Sequence, residues 1–266
     1  VWERISQEHM DQTQELEDFL RGESQHNSRF NEQEMEPEAL RARLKLENSR
    51  PVWCLFSHVG WDGASFEPEE ELFEDQLEWL VQSCKIMAST TDIQWLVKIH
   101  PGEQLRGNMC SLMDTLRSQG PLPGNVVFIP AESGLNTYGL YTILDGAVTM
   151  CGTPGLEMAL MGKPVILARS AHYGGKGFTY EPSTRQEYSD LLSRARELPT
   201  LSPPEIKAAR RYAHHYFLER QMKLPLVREH GGGFQFQDFS ELQPGCSPPL
   251  DAICDDLLSG GPFVRR

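Results

Sequence analysis

Lys98 and His100 stand two residues apart at the end of the apolar run Leu96-Val97-Lys98-Ile99-His100. In an extended strand, positions i and i+2 share a face, so an ammonium and an imidazole would meet at one strand end. That pair suits an anion: lysine as a point charge, histidine as a cation when protonated or a single hydrogen-bond donor when neutral. Pro101 follows and holds the exit extended, which sets the ring at the rim. A histidine that merely bonds to nearby backbone fits the same residues equally well. The second cluster is Cys151-Gly152-Thr153-Pro154-Gly155. Proline presets a helix start there, where unpaired backbone N–H groups and the Thr153 hydroxyl can face one phosphate with no metal. The competing reading makes Thr153 an N-cap and the glycines a tight turn.

Further reactive groups lie nearby. Glu157, one turn into the same helix, would reach ribose hydroxyls or simply face water. Asp62 sits in Gly60-Trp61-Asp62-Gly63, where a carboxylate could serve as a general base toward a hydroxyl and where Asp-Gly is also an ordinary turn pair. Between His172 and Thr179, three glycines surround Lys176, a loop able to close over a ligand. His214 and His215 face different directions on a late helix and read as surface or packing residues. The six cysteines form no Cys-x-x-Cys pair and have no histidines at zinc-finger spacing. No Gly-x-Gly-x-x-Gly, Walker A, zinc-protease or Gly-x-Ser-x-Gly signature occurs. Neither a metal nor a cofactor is expected.

A frame is needed that brings these residues to one edge. From Pro51 onward, short apolar runs alternate with longer amphipathic ones. The runs predict strands over Val52–Ser57, Ile93–Ile99, Val126–Ile129, Ala147–Met150 and Pro164–Ala168. Helices are predicted over Glu69–Met87, Gln104–Ser118, Thr137–Leu144 and Pro154–Met161, then over Thr184–Glu197 and Pro204–Met222. Strands bounded by Gly and Pro and alternating with helices imply βαβ units, hence an α/β doubly wound parallel sheet covered on both faces. In such sheets ligands lie beyond the carboxyl ends of the strands, where the residues above fall. Residues 1–50 are polar and read as a helical linker or the remnant of a preceding domain. Residues 51–230 read as the α/β domain and its late helices. The Gly-, Pro- and Ser-rich 231–266 read as a partly disordered tail with a short helix at Ile253–Leu258.

Composition narrows the function classes. The 266 residues, 39% hydrophobic and 24% charged, can bury a substantial core. A net charge of −13 argues against a general nucleic-acid surface. The charge is uneven: residues 51–80 hold eight acids and no Lys or Arg, while residues 81–230 hold sixteen Lys and Arg against thirteen acids. The stretch with most of the candidate anion ligands is thus slightly basic, and the Glu67–Glu78 run reads as a solvated helix start. Cysteines within apolar runs and no apolar stretch of membrane length point to a cytoplasmic protein with free thiols.

In this order, the elements resemble the capsular polysaccharide biosynthesis family, which includes bacterial Kdo transferases of the GT-B fold. The matching residues are Cys54-Leu-Phe-Ser-His-Val-Gly-Trp-Asp-Gly-Ala64, Glu78-Trp79, Leu96-Val-Lys-Ile-His-Pro101, the block from Asp145 through Gly152-Thr-Pro-Gly-Leu-Glu157 to Gly162-Lys-Pro-Val165, and Tyr173-Gly-Gly-Lys-Gly-Phe-Thr179. The likeness spans roughly residues 40–225. It implies the C-terminal donor-binding half of a GT-B fold and a glycosyltransferase of capsular or surface polysaccharide synthesis, with Kdo from CMP-Kdo as the transferred sugar. It further implies His100 and Pro101 near the donor phosphate with Lys98, Gly152 and Thr153 cradling it, Glu157 toward the ribose, and Tyr173, Gly174 and Gly177 lining the nucleotide sugar. Asp62 and His100 become the candidate catalytic pair. Where the family commonly has a pair of hydroxyl residues before the helix, Cys151-Gly152-Thr153 leaves a single hydroxyl. Implied partners are a nucleotide-sugar donor and a glycan or glycolipid acceptor, with peripheral association with inner-membrane export machinery and no nucleic acid. Alternatives are a polyol-phosphate transferase, a sugar epimerase, or a noncatalytic nucleotide-binding domain. A GT-B enzyme has two facing α/β domains, so this chain is expected to be half of a larger enzyme.

Overall fold

The structure, a computed structural model, describes residues 35–59, 72–106, 112–219, 227–230, 233–236 and 239–260. Contacts divide the chain into two units that meet in sequence at Arg210 and Arg211. In the first, helix α1 (Pro37–Arg43) precedes strand β1 (Val52–Phe56), helix α2 (Gln76–Ser89) and strand β2 (Gln94–Lys98). A 3-10 turn at Pro101–Arg106 leads toward α3 (Leu112–Ser118), followed by β3 (Val126–Ile129), α4 (Thr137–Tyr141), β4 (Gly146–Thr149), α5 (Thr153–Leu160) and β5 (Val165–Leu167). Helix α6 (Arg185–Ser193) comes next, and α7 (Pro203–His214) runs across the unit boundary. The strands form one fully parallel sheet in the order β3-β2-β1-β4-β5. The expected doubly wound α/β fold is therefore present. The order turns back at β1, between β2 and β4, which creates a crevice beyond the carboxyl ends of β1 and β4.

Period-2 alternation sends each strand's side chains to two cores. Trp53, Leu55, Trp95, Val97, Val126, Val148 and Ile166 pack with Trp79, Leu80, Met87, Leu116, Tyr188 and Leu192 from α2, α3 and α6. On the opposite face Phe56 is in register with Lys98 and Thr149, and Cys54 with Leu96 and Ala147, and Phe56 meets the α4 residue Tyr141 edge to face at 5.9 Å. Gly146 is required by the first core: a Cβ there would lie 2.4 Å from the Trp53 ring.

All five predicted strands form, Val126–Ile129 with the predicted bounds. Helix bounds are corrected by local chemistry. Helix α2 starts at Gln76 instead of Glu69, because the Asp75 carboxylate accepts the Glu78 N–H and caps it. In place of a continuous helix over Gln104–Ser118 there is the 3-10 turn begun by Pro101, and then α3. Helix α6 is likewise capped by Thr184 and closes in a 3-10 turn at Ala195–Glu197. The domain also reaches back before Pro51: Leu40 of α1 is buried, Arg41 donates to the Ile143 carbonyl, and Gln94 bonds both backbone groups of Glu47.

Within the second unit, α7 gives way after His214 to a π-turn, His215–Glu219, where the predicted helix would continue to Met222. Glu219 reaches back to His215 at 3.0 Å. Strands β6 (Val227–His230) and β7 (Gly233–Phe236) pair antiparallel, and α8 (Pro248–Ser259) is twice the length of the predicted Ile253–Leu258 helix. Proline at its first turn and a left-handed Gly260 at its end account for both bounds.

Candidate functional site

At the carboxyl edge, β2 delivers Lys98 and then His100. Lys98 is only 4% exposed, and among the described residues no carboxylate pairs with it. Burial pulls its ammonium below the ordinary lysine range. The nearby Cys54 thiol provides no counter-charge, since burial pushes it up to about 12. A buried cation without an acid is costly in a free protein, and an incoming anion would relieve that cost. His100 is exposed, its N–H donates to the buried Ser57 hydroxyl at 2.8 Å, and its Nδ1 accepts the Gly102 N–H at 3.0 Å. Pro101, half-buried, opens the turn that brings Gly102 to the ring.

Across the crevice, β4 ends in Thr149, whose buried hydroxyl accepts the Gly152 N–H at 3.3 Å. The α5 N-cap is Gly152, so Thr153 is the first helical residue and not the cap. Pro154 has no N–H, and the Gly155 N–H folds back to the Gly152 carbonyl at 3.0 Å. The exposed Thr153 amide and hydroxyl are therefore the donors this helix start presents outward, fewer than the several amides expected from sequence.

Glu157 is held differently from a solvated helix carboxylate. Its Oε1 accepts the Tyr138 hydroxyl at 3.2 Å, and its Oε2 accepts the Tyr141 hydroxyl. Burial raises its carboxyl above the ordinary value, while the two tyrosines oppose that shift. Both tyrosines come from α4, a link the sequence reading missed because partners 16 and 19 residues away carry no shared motif.

The glycine loop also takes a definite form. Tyr173 is fully buried and donates from its hydroxyl to the Gly152 carbonyl at 2.7 Å. Expected to line the nucleotide sugar, Tyr173 has no exposed surface here and is bonded to the β4–α5 loop. Both Glu181 oxygens accept the Gly175 N–H at 2.8 Å, and Thr179 donates to the same carboxylate at 2.7 Å. Gly174 lies against that carboxylate. Lys176 bonds the Gly174 carbonyl, and Gly177 is exposed with φ +83°. Asp62 lies outside the described residues. Farther along the family-like block, Lys163 donates to the Tyr141 and Leu144 carbonyls and so ends α4 at the opposite edge of the sheet.

Among the described residues no group of His, Cys, Asp and Glu could hold a metal ion, and no helix is long and apolar enough to cross a membrane. No family model and no curated protein matches the sequence. Solved structures do show likeness at low identity. Thermosulfurimonas dismutans KpsC, a β-Kdo 2,4 transferase, is 17% identical with a TM-score of 0.48, over 77% of this chain and 55% of that one. The wall teichoic acid polymerase TagF is 13% identical with a TM-score of 0.41, over 76% and 46%. UDP-GlcNAc 2-epimerase from Neisseria meningitidis, bound to UDP-GlcNAc, is 15% identical with a TM-score of 0.39, over 65% and 42%. This chain spans about half the length of these structures.

Proposed function

We propose that the chain is the donor-binding half of a glycosyltransferase that transfers Kdo from CMP-Kdo to a glycan or glycolipid acceptor at the inner face of the cytoplasmic membrane. Lys98 carries the reading. A buried ammonium with no carboxylate partner among the described residues, one strand from the crevice of a doubly wound sheet, would be matched by an anion such as the donor phosphate. His100 and the Thr153 amide and hydroxyl add donors from both sides of β1. Together they would stabilise charge developing on the leaving nucleotide phosphate, with no metal in the step. Glu157, fixed by two tyrosine hydroxyls, has lone pairs left for the ribose. The exposed Gly177 and its neighbour Gly174 would border the sugar, with Tyr173 acting from beneath. Asp62 is the proposed base toward the acceptor hydroxyl.

Calorimetric titration with CMP, CDP, UDP and CMP-Kdo tests this. CMP and CMP-Kdo are expected to bind, and His100→Ala to weaken both at least 10-fold while retaining the native circular dichroism spectrum. Absence of binding by all four nucleotides overturns the reading. Binding of CDP or UDP in preference to CMP replaces the donor with that of a polyol-phosphate transferase or an epimerase.

A further inference from the structure

We infer that Lys163 is a positioning residue: it holds the Tyr141 backbone so that the tyrosine hydroxyl fixes the Glu157 carboxylate, and through that carboxylate it governs how strongly the protein depends on the ribose hydroxyls of its nucleotide. The ribose step rests on the donor-site reading above; the tie from Lys163 to Glu157 does not. Tyr141 is bonded at both ends to one short stretch of chain. Its hydroxyl donates to Glu157 Oε2 within α5, and its carbonyl accepts the Lys163 ammonium at 2.8 Å, three residues beyond the end of that helix. The Leu144 carbonyl accepts the same ammonium. A charged donor makes the stronger kind of hydrogen bond, so this end of α4 is firmly held.

The local structure makes that tie effective. Gly162 takes a left-handed φ of +77°, and behind it the Lys163 N–H returns to the Met158 carbonyl at 3.1 Å, which closes α5 and turns the lysine toward the end of α4. Helix α4 has only five residues, too few to hold its own shape in isolation. Its start is fixed by Asn136, whose side chain accepts the Tyr138 and Gly139 N–H groups, and its end by Lys163 and by Arg41 on the Ile143 carbonyl. The Tyr141 ring is fully buried, edge to face with Phe56 at 5.9 Å and with Tyr138 at 5.3 Å. A ring walled in this way cannot swing to keep its hydroxyl in place when its backbone moves, so a shift at the carbonyl reaches Glu157. Lys163 precedes β5 whereas the phosphate donors follow β2 and β4, so it acts on the ligand only through this chain of bonds.

Nucleotide binding and carboxyl titration of the full chain test this together. The parent protein should bind CMP about 10-fold or more tightly than its 2′,3′-dideoxy analogue. Lys163→Met keeps the stem and removes the donors; it should cut that preference to about 3-fold or less while the dideoxy analogue binds within about 2-fold of the parent, and Tyr141→Phe should do the same. Lys163→Gln, whose amide stops short of the ammonium position, should give an intermediate preference and serves alone where the methionine variant does not fold. In protein labelled with 13C-glutamate, the Glu157 carboxyl is assigned by its loss in Glu157→Gln. It should titrate at higher pH in Lys163→Met and Tyr141→Phe than in the parent, because burial raises it and the tyrosine hydroxyls oppose that rise. A lysine that merely caps α4 would lower both affinities alike and leave the preference and the titration unmoved, and that result overturns the inference. If the parent binds both nucleotides equally, or neither, the ribose role of Glu157 fails, while the carboxyl titration still decides whether Lys163 positions it.

Discussion

Lys98 places stability and binding in opposition within one side chain. Its ammonium is buried beside a neutral thiol, and its folded pKa is depressed below the lysine value of an unfolded chain. Between those two values the unfolded state holds more protons, so stability rises with pH through that window. Below it, the charged lysine weakens the fold. Lys98→Met keeps the volume and removes the charge, and should stabilise the free protein by roughly 1 kcal/mol at pH 7. The gain should shrink as pH climbs toward the ordinary lysine range, and nucleotide affinity should drop at least 10-fold. Urea unfolding at several pH values, paired with calorimetric titration, reads both quantities. A variant that is less stable and binds unchanged would show that Lys98 serves packing alone.

At the scale of elements, the β4–α5 junction depends on close approach. Tyr173 passes beneath it, and a Cβ at Gly155 would come 2.2 Å from the tyrosine hydroxyl and 3.1 Å from Thr149 Cγ2. Gly155→Ala should therefore cost about 1–3 kcal/mol by overpacking. In a Tyr173→Phe background, where the clashing oxygen is gone, the same substitution should cost less; a double-mutant cycle by urea unfolding measures the difference. Equal costs in both backgrounds would mean that the contact does not constrain the loop. The sequence shows the strand that feeds this junction, because Ala147–Met150 is an apolar run bounded by glycines, and it shows Pro154 starting the helix. It does not show Tyr173 under Gly152, or Tyr138 and Tyr141 on Glu157. Those bonds join residues through the fold, and no period or spacing encodes them. The neighbouring placement of Lys98, last in β2, and of His100 just beyond it is local and readable from sequence, whereas the near-complete burial of the first and the exposure of the second are set by the fold. The alternative that Thr153 is only an N-cap does not hold, since the cap is Gly152 and Thr153 is the first helical residue.

For the whole molecule, the division at Arg210 and Arg211 determines how a ligand acts on stability. All the described candidate ligands lie before that division, on the sheet unit. The overall charge of −13 does not by itself exclude an anion there, because a charge as buried as that of Lys98 is weakly screened and acts on its immediate surroundings. A nucleotide that binds only the folded sheet unit, at a free concentration of about 100 Kd, adds about 2.7 kcal/mol to that unit's stability. For a unit of this size the gain corresponds to roughly 5–10 °C in its midpoint. Scanning calorimetry of the full chain with and without CMP should show the transition of the sheet unit rising by that amount, while any transition of the C-terminal hairpin and helix stays in place. The same scan on His100→Ala should show little rise. Equal displacement of every transition would instead mean that the units unfold together, and no displacement at saturating CMP would remove the nucleotide from this edge of the sheet.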